Sequence, residues 1–175
     1  MNHWEISGNL DDAQNGLANY PQFQQAICRV KKLFDDIFGT ERLNSIDLFI
    51  DNATAGSGYT PITTTILGKF VVIKLGIAPD DRERKVAYQF AHELTHFVFC
   101  TYLGINKSHA NAREETTCSA AALITIKQLY PSDFNMYDEH VRGLSNTAYR
   151  NGAYLAESIG YDFQRLKGII EEFHY

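Results

Sequence analysis

From Pro21 to Phe38 apolar residues recur three and four apart: Phe23, Ile27, Val30, Leu33, Phe34, Ile37 and Phe38. That period gives a helix one apolar stripe, and Gly39 supplies a stop. Residues 1–20 are polar, rich in Asn, Asp and Gln, and read as a loosely ordered lead-in. Ile46 to Ile50 is a short apolar strand candidate ended by Asp51-Asn52. Residues 52–61 hold Gly56, Ser57, Gly58 and Pro61 and read as a loop, with no Gly-Lys-Ser/Thr to make it a P-loop. Ile62 to Leu67 is β-branched and Thr-rich, and Lys69 to Ile77 is the strongest strand pattern in the chain. Leu67-Gly68-Lys69 would join the two as a hairpin.

A long helical pattern follows. Asp80 and Glu83, after Pro79, have the spacing of a capping box, and the pattern runs to Leu103 before Gly104. Val86, Phe90, Leu94, Phe97 and Thr101 fall on one side of it, the side expected to meet a core. After a loop at 104–110, a further helix is expected from Asn111 to Tyr130, stopped by Pro131. More helical segments follow, including one from Tyr161 to Phe173. Strands early and helices late predict an α+β class. One domain spans 1–175: the lead-in, an N-terminal part at 21–104 and a helical C-terminal part at 105–175.

Composition narrows the partners. The chain has 175 residues, 45% of them hydrophobic, and a net charge of −5. One core is affordable at this length. The acidic balance argues against a nucleic-acid role, and no apolar stretch is long enough for a membrane span. Cys28, Cys100 and Cys118 are odd in number and irregularly spaced, which speaks against a disulfide framework and for a reducing compartment. The Met1-Asn2-His3-Trp4-Glu5 start lacks a basic and apolar leader, so a cytoplasmic location is expected. Cys28 and Cys100 read as buried small hydrophobes.

The chemistry lies on the long helix. His92-Glu93-Leu94-Thr95-His96 is an H-E-x-x-H signature. Residues four apart on a helix share a face, so both imidazoles can reach one zinc ion, with Glu93 placed beside it as a general base. Catalytic zinc sites take three protein ligands and keep a fourth position open. A third histidine is not supplied by an extended motif, because Phe99 and Tyr102 stand at the matching positions. Glu114-Glu115 lies on the next helix instead. Adjacent helical residues diverge by about 100°, so one of the two faces the metal. Asn111 and Glu114 have capping-box spacing, which gives Glu114 a structural task and makes Glu115 the expected ligand. Glu114 remains the alternative, and Cys118, one turn after Glu115, is a possible substitute.

On His92, Glu93, His96 and the downstream Glu114-Glu115, residues 70–125 resemble the gluzincins, zinc metallopeptidases with a ligand Glu on a later helix. Cys118, Ser119, Ala120, Ala121 and Ala122 match the small residues that commonly follow that Glu. Short intracellular H-E-x-x-H proteins such as the ImmA/IrrE group have a similar layout, without an assignment of this chain to that group. The resemblance implies a minimal zincin-like domain, one zinc per chain, and a peptide or protein substrate. It also implies an edge strand, placed here at 69–77, that binds extended peptide. A donor to the developing oxyanion would come from the later part, with His140, Arg142, Tyr149 and Tyr154 as candidates.

Three rival readings stand beside the peptidase. The zinc site is catalytically silent and serves a regulatory or immunity-type binding partner; the motif is an accident on a helical interaction module; or the scissile bond is a non-peptide amide. His3, His109, His140 and His174 are taken as surface residues and left out of the metal site.

Overall fold

The computed structural model describes residues 4–6, 16–53, 60–107 and 109–173. It is an α+β fold, as the sequence pattern predicts. Four strands, β1 (Trp4–Ile6), β2 (Asp47–Asn52), β3 (Ile62–Ile66) and β4 (Phe70–Leu75), form one mixed sheet in the order β1-β2-β4-β3. β1, β2 and β4 run parallel, and β3 pairs antiparallel with β4. Seven helices are seen among the described residues: α1 (Pro21–Phe38), α2 (Thr40–Leu43), α3 (Glu83–Leu103), α4 (Ala112–Leu129), α5 (Phe134–Arg142), α6 (Thr147–Ser158) and α7 (Phe163–Glu171). No helix among these residues is long and apolar enough to cross a membrane.

The elements follow from local chemistry, with four departures from the expectations above. α1 has the predicted bounds, and its stripe of Phe23, Ile27, Val30 and Phe34 is buried. The β3–β4 hairpin also forms, with Leu67 and Gly68 at φ 54° and 64°. Ile66 pairs with Phe70, so Leu67-Gly68-Lys69 make the connection, and the Lys69 amide donates to the Ile66 carbonyl at 3.1 Å.

The first departure concerns the lead-in, part of which is structured. Trp4–Ile6 adds a parallel strand, and Leu17 is fully buried. Trp4 packs edge-on against Phe90 and Phe97 and donates its Nε1 hydrogen to the Leu43 carbonyl at 3.1 Å. The second is that Asp51 and Asn52 lie inside β2 instead of ending it. Asn52 accepts from the Ile77 amide at 2.9 Å and donates to the Ile77 carbonyl at 2.8 Å, so its amide replaces a missing ladder rung.

The third departure is at the start of α3. The expected Asp80–Glu83 box is absent: α3 begins at Glu83 after an extended Arg82 with no side-chain cap. Asp81 closes the preceding turn by accepting from the Ala78 amide at 2.7 Å, and it pairs with Lys85 at 2.6 Å. The fourth is Cys28, which is exposed, on the polar side of α1.

α3 is the central beam. Val86, Phe90, Leu94 and Phe97 are fully buried, on the face that meets the sheet and α1. α4 packs across α3, and α6 packs on α4. The α4–α6 approach is close: a Cβ added at Gly152 would meet the Ser119 side chain and stand 2.9 Å from the Ala120 amide nitrogen. The small run Ser119–Ala122 makes that approach possible.

Candidate metal centre

α3 carries His92 and His96 on one face, and α4 brings its first turn against that face. Asn111 caps α4, its side-chain oxygen accepting from the amides of Arg113 and Glu114, both at 3.0 Å. The cap fixes the rotation of the first turn and so decides where Glu114 and Glu115 point. Glu115 enters the space between the imidazoles: its Oε2 stands 3.2 Å from His92 Nε2 and 3.5 Å from His96 Nε2. Four donors arranged tetrahedrally about 2.1 Å from a zinc ion are about 3.4 Å apart. The two observed separations lie on either side of that edge.

Glu114 does something the sequence did not indicate. Its side chain is fully buried and accepts at 2.6 Å from His96 Nδ1, leaving His96 Nε2 directed at Glu115. A carboxylate behind a ligating histidine fixes the ring and its tautomer. Lys107, from the loop between α3 and α4, donates to both Glu114 oxygens at 2.8 and 3.1 Å. The chain His96–Glu114–Lys107 thus runs from the centre into the loop after Gly104.

Charge at the centre favours a cation. Burial works against the His96 imidazolium, yet Cys118, Glu114 and Glu115 together hold His96 well above the ordinary imidazole range. Burial would raise the Glu115 carboxyl, and its bonds to His92 and His96 outweigh that, holding it well below the usual carboxylate range. Cys118 is fully buried on α4, one turn past Glu115, and burial pushes its thiol up to about 12. The donor atoms of His92, His96 and Cys118 all lie within 4.8 Å of one another.

Glu93 lines a cleft of about 360 Å³ that His92, His96, Glu115, Lys107 and His109 also line. Thr63 of β3 holds it: the Thr63 hydroxyl lies 2.8 Å from Glu93 Oε2 and 2.9 Å from the Glu93 carbonyl. The strand beside the site is therefore β3, an edge strand, with Pro61 to Thr65 along the cleft. The expectation that 69–77 is the edge is corrected. β4 is an interior strand because the hairpin folds β3 to its outside.

A second lobe of about 490 Å³ opens on the far side of His92, Glu93 and Tyr149, with Tyr88, Met136, Tyr137, His140 and Leu144 in its walls. Of the four candidate oxyanion donors, Tyr149 borders both lobes, its ring 5.5 Å from that of His92. Burial and the charges of Glu115 and Glu93 raise its phenol, so it keeps its proton at neutral pH and can donate a hydrogen bond. Arg142 is paired with Asp138 at 2.7 Å and Glu157 at 3.0 Å, and exposed Tyr154 lies under that guanidinium. His109 and His140 are exposed, as expected, His109 at the rim of the polar lobe and His140 at that of the apolar one. His3 and His174 lie outside the described residues.

Thr63, Lys107 and the orienting role of Glu114 escaped the sequence reading. A signal existed for Thr63 alone, in the Thr-rich run that precedes the strongest strand. The fold and the site define an α+β protein with a two-histidine, carboxylate-backed candidate metal centre at the mouth of a cleft. No family model matches the chain, and no curated protein or solved structure matches it.

Proposed function

We propose that the protein is a zinc-dependent hydrolase that cleaves peptide bonds, with His92, His96 and Glu115 holding the metal and Glu93 as the general base. The single observation that carries this reading is the convergence of His92 Nε2, His96 Nε2 and Glu115 Oε2 at 3.2 and 3.5 Å, with Glu93 lining the adjoining cleft. Zinc bound there would supply Lewis acidity to the scissile carbonyl and lower the pKa of a coordinated water to about 7.

The chain's own residues do the rest. Glu93 accepts a proton from the attacking water and delivers it to the departing amine as the C–N bond breaks. The Thr63 hydroxyl fixes one Glu93 oxygen and leaves the other for that transfer. Tyr149 donates a hydrogen bond to the carbonyl oxygen as negative charge builds on it. Glu114 and Lys107 keep His96 in its ligating orientation. β3 offers its outer backbone edge to an extended peptide, which it would bind by strand addition. The apolar lobe beside Tyr149 would receive an apolar side chain next to the scissile bond. Three free cysteines suit a reducing compartment such as the cytoplasm.

The test is hydrolysis of an unstructured peptide by purified protein. Activity is expected to vanish with a chelator and return with zinc. Glu93→Gln is expected to keep the metal and lose about 10²–10⁴-fold in rate. Wild-type rates in Glu93→Gln, or activity indifferent to chelation, overturn the assignment.

A further inference from the structure

α4 aims two potential donors at the histidine pair, and the proposed reaction uses only one. Glu115 and Cys118 are three residues apart, so they lie on the same face of the helix. Cys118 is fully buried, and its sulfur belongs to a trio with one ring nitrogen each of His92 and His96 in which every separation is 4.8 Å or less. Glu115 Oε2 stands 3.2 Å from His92 Nε2 and 3.5 Å from His96 Nε2, and its side chain is 24% exposed. Cys118 is thus a buried potential donor beside the histidine pair, and Glu115 a partly exposed one.

Four protein donors complete a tetrahedral zinc shell, whereas a catalytic site needs one position left for water. Thiolate is also a strong zinc ligand in its own right. We propose that Cys118 is a fourth protein ligand that closes the metal centre in the resting protein, and that the protein becomes active only when this sulfur leaves the metal. The inference rests on the metal-binding reading of the site and adds its regulation.

Closing and opening are ligand exchange without redox chemistry. The thiol loses its proton to solvent as the sulfur–metal bond forms, and it takes one back as water replaces it. A cysteine side chain has a single rotatable bond, with staggered positions about 120° apart. A change of rotamer would swing the sulfur away from the metal. The helix need not move, so Glu115 stays in place while the shell opens.

Cobalt(II) loaded into the metal-free protein reports the ligands without any need for turnover. Sulfur coordination gives an intense near-ultraviolet sulfur-to-cobalt band, separate from the visible bands of a tetrahedral ion. Wild-type protein is expected to show both. Cys118→Ser is expected to bind cobalt, keep the visible bands and lose the sulfur band completely. Its zinc form is expected to hydrolyse peptide faster than wild type. Cys118→Ala, which suits the neighbouring alanines, guards against a folding defect in the serine variant.

Visible bands without a sulfur band in wild type overturn the inference and leave the three-ligand site standing. A sulfur band in wild type with no gain of activity in either variant overturns the latency. No cobalt binding at all overturns the metal reading, and this inference with it.

Discussion

Glu114 gives the sharpest test of how the site is built. It is fully buried, it accepts from His96 Nδ1 at 2.6 Å, and it pairs with Lys107 at 2.8 Å, whose side chain is itself only 10% exposed. Glu114→Gln keeps the size and one acceptor oxygen but removes the charge. A hydrogen bond to a charged group contributes about 1.5–3 kcal/mol, and breaking a buried ion pair by removing one partner costs about 3–5 kcal/mol. The substitution is therefore expected to lower the unfolding free energy of the metal-free protein by about 3–5 kcal/mol. Urea unfolding in the presence of chelator measures this. Loosening His96 is expected to weaken metal binding by about 10–100-fold, measured by competition with a chromophoric chelator. Lys107→Met in the same background should recover part of the stability, with a coupling of about 0.5–3 kcal/mol. Wild-type stability together with wild-type metal affinity in Glu114→Gln would refute the role given to this carboxylate.

Three further outcomes are expected. Gly152→Ala gains about 1 kcal/mol of helix propensity but drives a methyl against the Ser119 side chain and the Ala120 backbone. Overpacking costs about 1–3 kcal/mol, so the net effect is a lower denaturation midpoint, and a raised midpoint would show that α6 can back away from α4. Tyr149→Phe is expected to lower kcat of peptide hydrolysis while leaving metal affinity unchanged, read from kinetics beside the chelator competition; a phenylalanine variant with wild-type kcat removes the phenol from the reaction. Tyr137 and its stacking partner Tyr88 are both raised above the phenol value of 10.0, chiefly by burial, Tyr137 to about 12. The unfolded chain loses these protons first, so the stability they contribute is complete below pH 10 and falls as pH climbs toward 12. Thermal melts from pH 9 to 12 measure this, and it should be blunted in Tyr137→Phe.

The amino-acid sequence by itself determined whatever depends on short-range period and chemistry. The stripe of α1 marked its own limits, and Gly104 marked the end of α3. Four-residue spacing put His92 and His96 on one helical face, and Asn111 announced the start of α4. These features are legible because helix geometry converts sequence spacing directly into direction.

Tertiary structure decided the rest. Which strand borders the cleft depended on sheet order, and a hairpin can fold its first strand inside or outside without any change in either strand's pattern; here β3 went outside and took Thr63 to Glu93. The division of labour between Glu114 and Glu115 depended on how α4 sits against α3, and α4 is held from its other neighbour by the close approach of Ser119 and Ala120 to Gly152, more than thirty residues away. Lys107 belongs to the site only because the tertiary fold brings its ammonium to Glu114. Cys118 entered the site by the same placement of α4 that brought in Glu115. Contacts between segments distant in sequence carry no local periodicity, and this centre is assembled almost wholly from such contacts around one locally encoded pair of histidines.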